Sequence, residues 1–188
     1  MDSLNDKLKD IEQNFLKKKS MKSTLIHTDL NSFLELNSFS NLVLEIFGDK
    51  GLGKTSILYK LIADLQKQNQ LCMLINADYS YDSAYAQQCQ IVGKDLILVG
   101  TNNADKILEI LTSIKNCYIF IDSIAGLDLS QEVIDKLISI IRHNHLGLVY
   151  TNQIRDKKSG LSSYGRKILK LYADKRIRVT KSRLEIIK

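Results

Sequence analysis

Short apolar runs alternate with longer amphipathic stretches along most of the chain. Five runs have the length and composition of buried strands, and they span residues 42–47, 71–76, 96–100, 117–122 and 146–151. Between these runs apolar residues recur at helical spacing, as at Ile57, Leu58, Leu61, Ile62 and Leu65. Strands that alternate with helices predict an α/β fold whose central sheet is mainly parallel and flanked by helices.

Two further segments frame this predicted sheet. Residues 4–19 place Leu4, Leu8, Ile11 and Phe15 on one narrow stripe, which predicts a short helix that docks on its own domain or on a neighbouring subunit. Residues 167–187 alternate apolar and basic side chains, which predicts a half-exposed strand or hairpin at one edge of the sheet. The expected organisation is an N-terminal helix and linker at 1–40 and a single core at 41–188.

The composition is typical of one soluble domain. The 188 residues are 44% hydrophobic, and no apolar run approaches the ~18 residues that cross a bilayer. Charges stand where a signal peptide would be apolar, so we expect a cytoplasmic protein without membrane contact. Cys72, Cys89 and Cys117 lack the spacing of zinc ligands, and we expect them to be buried, reduced thiols.

The positive charge is concentrated near one end of the chain. The net charge is +6, yet residues 151–188 hold twelve Lys and Arg against three Asp and Glu, and residues 1–150 hold fifteen against eighteen. This asymmetry favours a polyanionic partner such as nucleic acid, with a solvated basic surface as the alternative.

One segment carries a specific chemical signature. Residues 48–55 match the phosphate-binding pattern GxxxxGK[ST] and lie between a predicted strand and a predicted helix. In such a loop, backbone N–H groups face phosphate oxygens, the lysine reaches the outer phosphates and the hydroxyl coordinates Mg²⁺. The sequence therefore predicts a site for a nucleotide and Mg²⁺ formed by Gly48, Asp49, Lys50, Gly51, Leu52, Gly53, Lys54, Thr55 and Ser56.

Polar side chains also follow other predicted strands at the same edge of the sheet. Asp122 ends a buried run and is the candidate acid for the water shell of the metal. Asp78 follows the strand at 71–76 and is the candidate group that positions the attacking water, with Asp82 as a competitor. Gln153 follows the last of the five strands, where its amide could sense the γ-phosphate.

The order and spacing of these segments resemble the RecA recombinase family. The resemblance covers nearly the whole chain and rests on Val43-Leu44-Glu45-Ile46-Phe47-Gly48, Ile75-Asn76-Ala77-Asp78, Ile121-Asp122-Ser123 and, most distinctively, Thr151-Asn152-Gln153-Ile154-Arg155. The segment Ile11-Glu12-Gln13-Asn14-Phe15 is similar to the family's N-terminal helix, which packs on the adjacent subunit of a filament. The resemblance therefore favours self-assembly as the role of the first helix.

The resemblance also implies roles for individual residues. Asp78 stands at the family's catalytic glutamate, Tyr85 at the aromatic residue that stacks on adenine, and Gln153 at the γ-phosphate sensor, while Asp82 would help to read the base. Lys181 and Arg183 resemble a pair of cations that reach the phosphates of a neighbouring subunit, and a spacing of two on a strand would place both on one face. The family's second DNA-binding loop would contact single-stranded DNA through Arg155, Lys157, Lys158, Arg166 and Lys167.

Three departures from the family pattern change the expected activity. Asp78 is one methylene shorter than glutamate, so its carboxylate lies ~1.5 Å further back, and misplacement of that order can cost ~10²-fold in rate. The family's first DNA-binding loop is largely missing between 127 and 146, and the second loop is shortened. We also expect the chain to lack the family's C-terminal domain, which often assists duplex capture.

The expected function is that of a small RecA-like recombinase that binds ATP and Mg²⁺ and forms filaments on single-stranded DNA. It would hydrolyse ATP slowly, in a DNA-dependent manner, during recombination, repair or annealing. The alternative is a non-catalytic paralogue that binds nucleotide and modulates a full-length recombinase. A small P-loop kinase fits the length and the first motif, but residues 152–155 have no place in one.

Overall fold

The computed structural model describes residues 41–153, 169–181 and 183–187. Its strands are β1 (Val43–Gly48), β2 (Cys72–Asn76), β3 (Leu96–Val99), β4 (Tyr118–Asp122), β5 (Gly147–Gln153), β6 (Lys175–Val179) and β7 (Leu184–Ile186). They form one sheet in the order β3-β2-β4-β5-β1-β6-β7. All neighbouring pairs are parallel except β6 and β7. The predicted α/β fold with a mainly parallel sheet is therefore confirmed.

Helices cover both faces of the sheet. They are α1 (Lys54–Lys67), α2 (Ser83–Gln88), α3 (Ala104–Thr112) and α4 (Gln131–His143). On one face α1 packs on Leu44, Ile46 and Leu74, and on the other α3 and α4 pack on Ile75, Ile119 and Leu148. None of the helices in the described parts of the chain is long and apolar enough to cross a membrane.

Side-chain caps determine where three of the helices begin. The side chain of Asp82 accepts hydrogen bonds from backbone N–H groups at the start of α2, Asn103 does so for α3 and Ser130 for α4. Each cap satisfies donors that would otherwise lack a partner in the first turn. These polar residues therefore separate the strands from the helices that follow.

Four of the five predicted strands differ from the observed ones by no more than one residue at either end. The exception is β5, which was predicted to end at 151 and continues to Gln153. Its extra residues pair with β1 through Phe47–Asn152 and Gly48–Gln153, whereas its pairing with β4 ends at Ile121–Tyr150. The strand is longer than expected because β1 continues to support it beyond the end of its apolar run.

The C-terminal segment forms the predicted hairpin at the sheet edge, where β6 pairs with β1 and β7 folds back on β6.

Cys72 and Cys117 are buried free thiols as expected, whereas Cys89 is only half-buried. The helix predicted at 4–19 lies outside the described residues. So do the predicted DNA contacts Arg155, Lys157, Lys158, Arg166 and Lys167.

Candidate phosphate-binding site

The loop at 49–53 leads from β1 into the N-terminus of α1. Gly53 caps this helix in the left-handed conformation, with φ at 82°, which glycine adopts without steric cost. Among the described residues no side chain caps α1, and its first turn contains no acid. The free N–H groups of this turn and the positive end of the helix dipole therefore provide an attractive site for an anion.

A cavity of about 200 Å³ opens at this helix end. It lies where the carboxyl ends of β1, β2, β4 and β5 meet, the edge at which open parallel sheets bind ligands. Its lining comes from the loop and three other strand ends: Lys50, Gly51, Gly53, Lys54, Thr55, Asp78, Asp122, Ser123, Thr151 and Gln153. The structure thus brings the predicted lysine, hydroxyl, two acids and amide together in one cavity.

Lys54 is folded back into its own loop. Its Nζ donates a hydrogen bond of 2.6 Å to the backbone oxygen of Asp49, and the residue is only 7% exposed. Burial lowers the pKa of the Lys54 ammonium, while the negative charges of Asp122 and Asp49 oppose that shift. A cation with few water contacts at the base of the cavity is suited to bind phosphate oxygens.

Asp122 is a buried acid with hydroxyl partners. Thr151 Oγ1 donates to Asp122 Oδ1 over 2.5 Å, and the hydroxyl of Thr55 lies close to the same carboxylate. Burial raises the pKa of the Asp122 carboxyl, and the two hydroxyl contacts and Lys54 counteract this. Carboxylate and hydroxyl oxygens are the ligands that Mg²⁺ prefers, so Thr55 and Asp122 form a fitting donor set for that ion.

Sequence reasoning did not identify Thr151 and Ser123 as site residues. Thr151 comes one residue after the last β4–β5 pair, Ile121–Tyr150, which places it beside Asp122. A polar residue at the end of a predicted strand adjacent to the acid is the signal that could have found Thr151. Ser123 lines the cavity and accepts a hydrogen bond from the N–H of Ala125, and the sequence contains no comparable signal for it.

Asp78 is exposed, lines the cavity and is held by its own turn. Its Oδ1 accepts hydrogen bonds from the N–H of Ser80 at 3.1 Å and from Ser80 Oγ at 2.6 Å. These two hydrogen bonds fix the position of one carboxylate oxygen and so restrict rotation of the Asp78 side chain. The predicted position of Asp78 at the cavity is therefore observed, together with a local restraint that the sequence did not indicate.

Asp82 does not line the cavity. Its Oδ1 accepts hydrogen bonds from the N–H groups of Ala84 at 2.8 Å and Tyr85 at 3.1 Å, and so caps α2. The cap engages the side chain outside the cavity, and the roles expected for Asp82 in positioning water and reading the base stay predictions.

Tyr85 ties α2 to the start of α1. Its hydroxyl lies 2.5 Å from Ser56 Oγ, and its ring centroid lies 5.9 Å from that of Tyr59. Ser56 directly follows Thr55, so the aromatic ring is held next to the phosphate loop without lining the cavity.

Of the other predicted loop residues, Leu52 packs against the apolar core on the α1 side, and Gly48 lies against the backbone of Val179.

Comparison with known proteins agrees with this arrangement. A profile of the RecA N-terminal domain matches residues 3–134, well over half of the chain. The chain belongs to the RecA family. It is 28% identical to Protein RecA of Leptospira meyeri over 85% of the chain, and 28% identical to Protein RecA of Mycoplasmopsis pulmonis over 81%. These alignments cover 48% and 54% of the relatives, so the chain spans about half the length of the curated RecA proteins it matches.

A solved structure shows the same fold at lower identity. The flagellar accessory protein FlaH from Methanocaldococcus jannaschii superposes with a TM-score of 0.68 and 14% identity. The match covers 88% of this chain and 86% of FlaH. At that identity the similarity extends to the RecA-like fold and no further.

The two C-terminal cations predicted from the RecA resemblance do not share a strand. Lys181 and Arg183 are exposed and lie in the turn between β6 and β7. Thr180 closes this turn, because its N–H and its Oγ1 both donate to the backbone oxygen of Arg183. The expectation that a strand places both side chains on one face is therefore wrong. Arg183 also pairs with Glu185 at 2.9 Å.

Proposed function

We propose that this RecA-family chain is a Mg²⁺-dependent ATPase that assembles on single-stranded DNA in the cytoplasm and hydrolyses ATP slowly. The observation that supports this most is the single cavity shared by the phosphate loop, Asp122, Asp78 and Gln153. A loop that only bound a phosphate group would not need two acids and an amide from three other strands at the same point.

Each side chain has a distinct part in this proposal. Lys54 and the N–H groups of the loop bind the phosphates, and Thr55 and Asp122 hold Mg²⁺, which would neutralise charge that develops on the phosphates. Asp78 orients the attacking water and accepts its proton, while Gln153 contacts the terminal phosphate. Tyr85 offers a ring to the base beside the start of α1.

Assembly and DNA binding rest on the charge distribution and on the family. We assign the predicted N-terminal helix and linker at 1–40 to docking between subunits and the core at 41–188 to catalysis. Arg155, Lys157, Lys158, Arg166 and Lys167 would bind the DNA backbone, and Lys181 and Arg183 would reach a neighbouring subunit. The process served would be recombination, repair or annealing.

One observation favours a second candidate, a nucleotide-binding RecA paralogue without turnover that modulates a full-length recombinase. Both hydrogen bonds from Ser80 go to Oδ1 of Asp78. This restraint and the short side chain both hinder the carboxylate from reaching a water molecule at the terminal phosphate. In this candidate the nucleotide stabilises one conformation and is not consumed.

The test is ATP turnover by the purified chain with Mg²⁺, with and without single-stranded DNA. We expect slow turnover that DNA accelerates and that Lys54→Ala abolishes without changing the melting temperature. Lys60→Ala, an exposed lysine on the same helix, is the matched control and should turn over normally. Binding of ATP without turnover in any condition would support the paralogue, and no binding of nucleotide would contradict both candidates.

A further inference from the structure

A buried ionic cluster lies on the face of the sheet opposite α1. Glu45 is 1% exposed, and its two oxygens have separate partners. Oε1 accepts a hydrogen bond of 2.8 Å from Asn152 Nδ2, and Oε2 accepts one of 2.5 Å from Arg176 Nε. The guanidinium of Arg176 also stacks over the ring of Phe47, 4.5 Å from its centroid. We call these four residues the Glu45 cluster.

Burial of a carboxylate is costly, so this cluster calls for a reason beyond packing. Moving a charge out of water costs several kcal/mol of solvation free energy. A charged partner offsets this cost only with good geometry and further hydrogen bonds. Apolar residues of similar volume often give equal or greater stability. Val43 and Leu148 lie on the same face of the sheet and are apolar and buried, so an apolar side chain would suit the surroundings of residue 45.

The position of Asn152 supplies that reason. Beyond Tyr150, the backbone of β5 no longer pairs with β4 and pairs with β1 alone, while the Thr151 side chain bonds to Asp122. Side chains alternate along a strand, so Asn152 faces the Glu45 cluster while Thr151 and Gln153 face the cavity. The bond from Asn152 to Glu45 therefore anchors the strand end midway between two residues that line the cavity.

Arg176 keeps the anchor rigid. It lies directly opposite Glu45 in the β1–β6 register, and its side chain is 15% exposed. It occupies one carboxylate oxygen and leaves the other to accept from Asn152. The stack on Phe47 restricts the guanidinium further. Because this group is planar and rigid, it loses little conformational entropy when it is held over the ring.

We propose that Glu45 is a positioning residue for Gln153, because through Asn152 it fixes the one-sided end of β5 so that the Gln153 amide faces the terminal phosphate. This inference rests on the proposed hydrolysis of ATP in the cavity. Glu45, on the face of the sheet opposite α1, would therefore affect the rate of ATP turnover but not the affinity for nucleotide.

Two double variants separate positioning from stability. Glu45→Leu/Arg176→Met removes both charges and the acceptor for Asn152, whereas Glu45→Gln/Arg176→Met removes both charges but keeps an acceptor oxygen. Neither leaves an unpaired buried charge, so both should fold. We expect kcat to fall about tenfold in the leucine variant, since small misplacements of a catalytic group are costly, while the glutamine variant retains most of kcat. The Kd for Mg·ATP should stay within about twofold of wild type in both.

The decisive measurement repeats the comparison in a Gln153→Ala background. If Glu45 acts through Gln153, the leucine variant should cause no further loss of kcat there, because the two changes remove the same interaction. If the leucine variant does not fold, Asn152→Leu removes the donor instead and should behave in the same way. Glu132→Gln/Lys136→Met, which neutralises an exposed ion pair on α4, is the matched control and should leave kcat unchanged.

The outcomes distinguish this inference from the proposed function. Wild-type kcat in the leucine variant, or an equal loss with and without Gln153, would overturn the positioning role while leaving ATP hydrolysis intact. A wild-type chain whose turnover Lys54→Ala does not abolish would overturn the proposed function and, with it, this inference.

Discussion

At the scale of single residues, the hydrogen-bond partners of each carboxylate determine its place in the site. Asp122 has a hydroxyl donor on a neighbouring strand, Asp78 is bonded within its own turn, and Asp82 is used as a helix cap. Three acids that look alike in the sequence thus have three different environments. Of these three acids, Asp122 and Asp78 line the cavity and Asp82 does not.

The hydroxyl of Thr151 should matter for metal-dependent nucleotide binding. Thr151→Val removes the donor to the Asp122 carboxylate and leaves the shape of the side chain nearly unchanged. Loss of a group that orients a metal ligand typically costs ~10–100-fold in metal affinity, so we expect a loss in that range for Mg²⁺-supported ATP binding, measured by titration calorimetry. Thr151→Ser keeps the hydroxyl and should bind nearly as wild type. Equal affinity in both variants would contradict a role for this hydrogen bond.

The length of the Asp78 side chain should limit the rate of hydrolysis. Asp78→Glu restores the missing methylene and should raise kcat, whereas Asp78→Asn should lower it, both with little change in ATP affinity. Single-turnover measurements separate the chemical step from binding. Asp82→Asn is the control, because asparagine also caps helices well and kcat should be kept. Normal turnover by Asp78→Asn would show that another group positions the water.

Sequence reasoning identified the site residues that follow strands or lie in the loop, because chain order alone places them at one sheet edge. It missed contacts between residues that are distant in sequence. Thr151 and Asp122 are 29 positions apart, Asn152 and Glu45 are 107 apart, and Arg176 and Glu45 are 131 apart. Such contacts depend on the order of strands in the sheet, which periodicity does not determine.

At the scale of elements, the contact between β1 and β6 is close where the phosphate loop begins. Periodicity predicted both strands, but it did not predict the turn that holds Lys181 and Arg183, because alternation continues through the turn in the sequence. The turn is recognisable only from the bonds of Thr180 to Arg183. The β1–β6 register pairs Phe47 with Arg178, and this places Val179 at the end of β6 directly against Gly48.

Gly48→Ala should therefore weaken the sheet at this point. A Cβ at residue 48 would lie 2.5 Å from the backbone oxygen of Val179, and backbone cannot move aside as a flexible side chain can. Overpacking of this kind typically costs ~1–3 kcal/mol, which urea denaturation would measure as a lower free energy of unfolding. Gly93→Ala is the control, because a Cβ there meets no described atom within 4 Å. Equal stabilities of the two variants would contradict the close approach.

At the scale of the whole molecule, several cations of the described C-terminal segment lie along the sheet edge formed by β6, β7 and their turn. Arg178, Lys181 and Arg183 are all exposed there. Lysine and arginine on an edge also discourage mispairing with other strands, so charge alone does not distinguish a binding surface from a protected edge. A functional test has to distinguish them.

Mixing two inactive variants provides that test. Lys54→Ala subunits keep the edge cations, and Lys181→Ala/Arg183→Ala subunits keep the phosphate loop. If the cations complete the site of a neighbouring subunit, as arginine fingers do in trans, mixed assemblies should regain part of the ATP turnover that each variant lacks alone. Full activity of the double variant alone, or no recovery on mixing, would assign these cations to the surface only.

The order of the strands also has a consequence during synthesis. Val43 pairs with Leu148 and Leu44 with Lys175, so β1 has no neighbour in the sheet until roughly 100 further residues have been translated. At ~5–20 residues per second, both edges of this apolar strand stay open for about 5 to 20 seconds while β2, β3 and β4 are already available to pair. Open strand edges and exposed apolar surface make an incomplete chain prone to pair with other chains and aggregate. Among the seven described strands, the one that leads into the phosphate loop thus waits longest for its partners on the ribosome.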